Sequence, residues 1–169
     1  MSLLEVRNLR IEYPSRRGVM AAVKDLSFSI EKGEILGVVG ESGAGKSTIG
    51  NAIIDLLSPP GRIARGDVFL NGQKISGLSP TEMRKVRGAH IGFIFQDPMT
   101  SLNPLFTVER QLVETIEANT ELRGEAAKAR AIELMASVGI PQPEIRIKQY
   151  PHQFSGGMRQ RVVIAIALS

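Results

Sequence analysis

Apolar and polar positions along the first thirty residues fall into two runs, LLEVRNLRIEY (3–13) and VMAAVKDLSFSI (19–30), the second with Leu26, Phe28 and Ile30 at period two after Val23. That spacing predicts two strands, closed by a turn at Glu31, Lys32 and Gly33. EILGVVG (34–40) is a short apolar run, the pattern of a strand buried on both faces of a parallel sheet. A glycine cluster follows it directly. Beyond the cluster, Ile49, Ala52, Ile53, Leu56 and Leu57 form the stripe of an amphipathic helix, which Ser58, Pro59, Pro60 and Gly61 should end. The order is therefore strand, glycine loop, helix. GDVFLNGQKI (66–75) predicts a strand with a turn at Asn71 and Gly72. Ser79, Pro80 and Glu82 then supply an N-cap, a proline at the first helical position and a capping-box acid, so a short helix should reach about Arg87. HIGFIFQ (90–96) reads as a second buried strand. After the turn-rich DPMTSLNPLF the period becomes helical, with Val108, Leu112 and Ile116 at spacing four. Ala131, Leu134, Met135 and Val138 continue it on one face, which Gly139 and Pro141 close.

Bulk properties narrow the classes. A chain of 169 residues that is 43% apolar suits one domain or part of one. The longest apolar run, Val162 to Leu168, is far shorter than the roughly 20 residues that span a bilayer. The start shows no secretory leader, so a cytosolic setting is expected. Without cysteine there is no disulfide or thiolate metal site in this stretch. The net charge of +4 arises from scattered Lys and Arg, with no basic block, so no nucleic-acid partner is expected.

Residues 40–48, GESGAGKST, meet the phosphate-binding pattern of glycine, four spacers, glycine, lysine and a hydroxyl residue. Glycines at these places let successive backbone amides turn inward around an anion, at a helix N-terminus whose dipole favours negative charge. Gly40, Ser42, Gly43, Ala44, Gly45 and Thr48 form this cradle. Lys46 is positioned to reach the β- and γ-phosphates, and the Ser47 hydroxyl to ligate Mg²⁺. The dinucleotide fingerprint fails, because Thr48 stands where its third glycine is needed. A phosphate loop alone names no function.

FSGGMRQR, beginning at Phe154, resembles the LSGGQ signature of ATP-binding cassette (ABC) proteins. Ser155 would cap a helix and Gly156 and Gly157 would leave its start bare, a natural place for an anion. The resemblance implies that this site meets the γ-phosphate of ATP bound to a second ATPase subunit, in a homo- or heterodimer closed head to tail over two nucleotides. It also implies that Gln96 is the glutamine that contacts Mg²⁺ and the attacking water, making Lys46 and Gln96 the catalytic candidates. Tyr13 matches the aromatic residue on which adenine stacks. The implied cofactors are ATP and Mg²⁺, the latter held by Ser47 and Gln96. The implied fold is α/β: a P-loop NTPase (RecA-like) core with an N-terminal antiparallel β subdomain and an inserted α-helical subdomain. On this reading residues 1–97 are the nucleotide-binding core and 98–169 the helical subdomain with the signature.

FQDPMTSLNP, QYPHQFSGGMRQRVVIAIAL and the RRGV segment further resemble the ATPase subunits of bacterial dipeptide, oligopeptide and nickel importers. That resemblance implies transmembrane permease subunits as partners, indirectly an extracytoplasmic binding protein, and a peripheral position on the cytoplasmic face of the inner membrane. Met158 replaces the usual glutamine of the signature, as this group commonly allows. Neither His90 nor His152 occupies the position of the family's switch histidine. The family's magnesium-binding aspartate and general-base glutamate follow the signature helix and do not occur here. The expectation is therefore a fragment with an incomplete core sheet, poorly stable and nearly inactive alone. Two other functions fit the motifs: a cassette ATPase acting outside transport, and a nucleotide-binding module without turnover.

Overall fold

The computed structural model describes residues 2–16, 18–97 and 101–169 and forms two units, one running to Met83 and the other from Arg84 to Ser169. Arg17 of the RRGV segment and Pro98, Met99 and Thr100 of the loop after Gln96 lie outside the described residues.

The first unit is built on the two predicted strands. β1 (Leu4–Ser15) and β2 (Gly18–Ile30) pair antiparallel, and β1 pairs on its other edge with β3 (Arg62–Leu70). A two-residue strand, β4 (Gln73–Lys74), completes a sheet of order β2-β1-β3-β4. Asn71 and Gly72, at φ 49° and 77°, make the β3–β4 turn. Both residues at positive φ suit the right-handed twist of a tight hairpin, which is what an Asn-Gly pair supplies. Val6, Leu9 and Ile11 of β1, with Val68 of β3, are buried on this sheet.

Helix α1 (Lys46–Ile53) is shorter than its apolar stripe. Asp55 adopts φ 53°, and the chain turns out of the helix there. Leu56 N–H then donates to Asn51 O (2.7 Å) and Asp55 N–H to Ala52 O (3.2 Å). Those two bonds satisfy carbonyls left over at the helix end, an arrangement that usually employs glycine. Helix α2 (Pro80–Val86) begins as predicted. Ser79 N–H donates to Glu82 Oε2 (2.9 Å) while Glu82 N–H donates to Ser79 Oγ (3.3 Å), a reciprocal capping box.

The two apolar runs read as buried parallel strands are not strands. Residues 34–40 have no regular structure, and 90–96 contribute a single parallel bridge between Arg87 and Ile91. A strand exists through its neighbours' hydrogen bonds, and among the described residues no segment pairs with either run beyond that single bridge. Ile35 and Val39 are consequently 96% and 93% exposed. Gln96, expected at a strand end, sits in an exposed bend.

The second unit is helical: α3 (Val108–Asn119), α4 (Gly124–Ser137), a single turn α5 (Pro143–Arg146) and α6 (Gly156–Ala167). Their apolar stripes meet in one cluster in which Leu112, Ile116, Ala131, Met135 and Val162 are wholly buried. Thr107 caps α3 by accepting from Arg110 N–H (3.3 Å). The next two orphan amides of α3, Val108 and Glu109, donate to Gln149 O and Ile147 O (2.9 and 2.7 Å), fixing the segment that leads to α6. Gly139, at φ 76°, ends α4 as predicted, with Ile140 N–H donating to Met135 O. Arg161 of α6 donates to the Gly139 carbonyl (2.7 Å) and ties the two helices.

Candidate nucleotide-binding site

The glycine loop delivers the chain into α1. Gly45 is its N-cap, at φ 86°, and provides no side-chain cap; no acidic residue stands in the first turn. The first helical bond runs from Ile49 N–H to Gly45 O (3.0 Å). The amides of Lys46, Ser47 and Thr48 precede it, so helix geometry gives them no carbonyl partner. Three amide dipoles aimed past a helix start form an anion site. Lys46 Nζ folds back and donates to the Gly40 and Glu41 carbonyls (2.8 and 2.7 Å), while Ala44 N–H donates to Glu41 O (3.1 Å). The lysine thus shapes the loop while its ammonium stays exposed at the rim.

Glycine at position 45 is required twice over, by its left-handed φ and by its neighbour. A Cβ there would stand 2.9 Å from the Ala22 carbonyl oxygen and 3.4 Å from Val23 Cγ2. Ala22 is the extra residue of a β-bulge: Ile11 faces Val23 and Glu12 faces Ala21, so Ala22 has no partner on β1. Bulges commonly re-aim the backbone beside functional sites. Here the bulge turns a carbonyl of β2 against the glycine loop. Tyr13 faces Met20, two residues along β1 from Ile11, which at about 3.3 Å per residue is about 7 Å from the loop contact. Tyr13 is half-buried and Met20 exposed.

In the second unit, Ser155 Oγ accepts from Met158 N–H (3.3 Å) and the Ser155 carbonyl accepts from Arg159 N–H (2.9 Å), which starts α6. Arg159 Nε donates to Phe154 O (3.0 Å), bracing the turn that presents the serine. A Cβ built on Gly156 or Gly157 would have nothing within 4 Å. Close packing among the described residues of this unit therefore does not explain these glycines, and they leave an exposed surface over the helix start. Met158 packs against the helical core, so a thioether suits its place better than the signature's usual amide. Gln96 is exposed in the same unit. His90 and His152 are exposed as well, the latter stacked on Tyr150 at 5.7 Å between ring centres.

Among the described residues no group of three or more His, Cys, Asp or Glu side chains could hold a metal ion. The hydroxyl of Ser47, in the first unit, and the amide oxygen of Gln96, in the second, are each hard oxygen donors, the chemistry that suits Mg²⁺. Sequence reasoning missed the Ala22 bulge and the part played by Gln111. The latter accepts from Asn103 N–H (2.9 Å) and donates to the Asn103 and Phe106 carbonyls (3.0 and 3.1 Å), knitting the loop before α3. Nothing in the apolar periodicity marks either one, because Ala22 acts through its carbonyl and Gln111 through a polar side chain that binds backbone groups.

Comparison with known proteins fits this geometry. The family described as "ABC transporter" matches residues 23–169. The oligopeptide transport ATP-binding protein OppD of Bacillus subtilis is 51% identical over 168 residues, covering 99% of this chain and 47% of its own length. The dipeptide transport ATP-binding protein DppD of Escherichia coli is 44% identical over 169 residues, covering 100% and 52%. The chain thus spans about half the length of these curated relatives. Among solved structures, a bacterial ABC transporter cassette determined as a dimer superposes with a TM-score of 0.86 at 30% identity, covering 98% of this chain and 68% of the other. The same cassette in a post-hydrolysis state bound to ADP and Pi gives the same values. The mixed α/β architecture with an antiparallel sheet is that of these ATPase cassettes.

Proposed function

Because the chain belongs to the ABC transporter family, we propose that it is the nucleotide-binding part of an ATPase subunit that powers peptide uptake across a bacterial cytoplasmic membrane. The observation that carries this reading is the pairing, in one chain, of two anion-ready helix starts with different environments. The first, at α1, is preceded by its own glycine loop, backed at Gly45 by the Ala22 carbonyl and braced by Lys46. The second, at α6, is bare of neighbours at both signature glycines. A site built to close over a ligand from one side needs a loop around it. One that meets a ligand carried by another molecule needs open approach.

On this reading the amides of residues 43–48 and the Lys46 ammonium bind the phosphates. The lysine exchanges its contacts with the Gly40 and Glu41 carbonyls for the β- and γ-oxygens. Gly40, Ser42, Gly43, Ala44, Gly45 and Thr48 shape the cradle, and Tyr13 carries the adenine by stacking. Ser47 and Gln96 are the residues that would supply oxygen ligands to Mg²⁺, and the ion, once held, would neutralise phosphate charge. Gln96 also orients the water that attacks. Ser155, Gly156 and Gly157 offer α6 to the γ-phosphate held by a second ATPase subunit, and desolvation on closure strengthens every such contact. Residues 1–97 then serve as the nucleotide core and 98–169 as the helical arm that meets the permease. A binding protein outside the membrane supplies the peptide. No helix among the described residues is long and apolar enough to cross a membrane, in keeping with a peripheral subunit at the cytoplasmic face.

Substituting Lys46→Ala in the full-length protein, assembled with its permease subunits, tests the proposal. Free Lys46 already makes two carbonyl bonds, so the lost contribution to ATP binding is a difference between charged hydrogen bonds, about 1.5–3 kcal/mol. Calorimetric titration should show ATP affinity reduced about 10–150-fold, with peptide uptake abolished. Unchanged affinity, or peptide uptake that survives the substitution, would contradict it.

A further inference from the structure

We propose that Gly61 is a positioning residue for the adenine platform: it sets where the Tyr13 ring stands and so tunes affinity for the nucleobase half of the ligand. The inference rests on Tyr13 being that platform, and it adds a residue outside the phosphate loop and the signature.

The contact is within the first unit. A Cβ built on Gly61 would lie 2.6 Å from Tyr13 Cε1 and 2.8 Å from Cζ. Both distances are below any that a real Cβ tolerates, so the hydroxyl end of the ring rests directly on the glycine backbone. The backbone cannot retreat either. The same Cβ would stand 2.9 Å from the Ser58 carbonyl oxygen, and Gly61 N–H donates to that carbonyl at 2.9 Å, closing the turn over residues 58–61. The φ of Gly61 is not in the left-handed region. The glycine is therefore needed for space, not for backbone freedom. From Gly61 the chain passes at once into β3, whose Arg62 pairs with Glu12 of β1, the residue beside Tyr13. The turn is thereby anchored to the strand that carries the ring, and its backbone acts as a fixed stop. On the other side Tyr13 faces exposed Met20 across the hairpin. Gly61 thus gives the ring a backbone stop on one side, while its strand partner Met20 is exposed. A base stack depends on where the aromatic plane stands, so moving that stop moves the platform while the phosphate cradle stays as it is.

The test measures binding of MgATP and of magnesium tripolyphosphate, which has the phosphates and no base, to the full-length protein and its Gly61→Ala, Tyr13→Ala and doubly substituted forms. Gly61→Ala should weaken ATP about tenfold, the order of one disturbed base–aromatic stack, and leave tripolyphosphate unchanged. In the Tyr13→Ala background it should have no further effect. Equal loss for both ligands, no loss for ATP, or additive effects of the two substitutions would overturn the inference. If Tyr13→Ala itself leaves ATP unchanged relative to tripolyphosphate, the failure lies with the platform reading, and the inference falls with it. Should Gly61→Ala prove too unstable to assay, the double form decides. Tripolyphosphate binding restored to full strength supports the contact, and its absence refutes it.

Discussion

Replacing Gly157 by Ala should push stability and activity in opposite directions. Gly157 is the second residue of α6, and a methyl group added there meets no described atom within 4 Å beyond its own helical turn. The substitution lowers the entropy of the unfolded chain without a clash in the folded one, which typically stabilises by about 0.4–1 kcal/mol. For a domain of this size that corresponds to a rise of about 1–4 °C in melting temperature. The same methyl group fills the space through which a neighbouring molecule's γ-phosphate is proposed to approach the helix start. Losing one well-placed donor of that kind costs about 10²–10³ in rate. Differential scanning calorimetry and steady-state ATP turnover on the full-length protein, assembled with its permease subunits, read the two effects separately. A fall in melting temperature would show that the glycine is packed after all. Turnover within twofold of the unsubstituted protein would remove the α6 start from the phosphate site.

Leu112→Ala empties a wholly buried position at the centre of the helical cluster and should cost about 2–5 kcal/mol; denaturant unfolding of the second unit measures it, and a loss below 1 kcal/mol would contradict the packing described. Asp67 accepts from Lys74, whose ammonium lies 2.6 Å away; this hydrogen bond, with the ammonium's charge, outweighs the opposing effect of desolvation and holds the carboxyl below the usual aspartate range. Because the folded value is the lower one, the pair's contribution is present above the unfolded carboxylate's range and lost as pH falls through the folded value. Lys74→Ala should therefore lower the melting temperature slightly at neutral pH and leave the acid end of the profile unchanged, which flattens the acid limb between them; the loss is small because the pair is half exposed. An unaltered acid limb would show that the bridge is not formed in solution.

Local chemistry was the legible part of this chain. The Ser79 capping box, the Asn71–Gly72 hairpin turn and the Gly139 helix end all depend on a few adjacent residues, and each stands where its residues placed it. The stripe through Leu56 and Leu57 misled about the length of α1, because an aspartate at positive φ performed the stop that glycine normally signals. The runs at 34–40 and 90–96 carried a strand's composition. Strand formation depends on neighbours, however, and periodicity within a segment cannot report whether a neighbour is there. Of the candidate site, the phosphate loop and the signature were visible as motifs. What they rest on was not: the Ala22 carbonyl behind Gly45 and the Gly61 backbone behind Tyr13 are contacts between distant segments, made through main-chain atoms that no side-chain pattern encodes.

The central claim is that the α1 loop and the α6 start hold one triphosphate from two different molecules. Its most direct measurement uses the full-length protein carrying Ser155→Cys together with Lys46→Ala, assembled with a second ATPase subunit whose phosphate loop is intact, in MgATP under conditions that block turnover. Maleimide labelling of the cysteine should slow sharply when nucleotide is added, although the labelled molecule's own loop is disabled. Labelling that stays fast, or protection that appears only when the same molecule keeps its Lys46, would contradict the account.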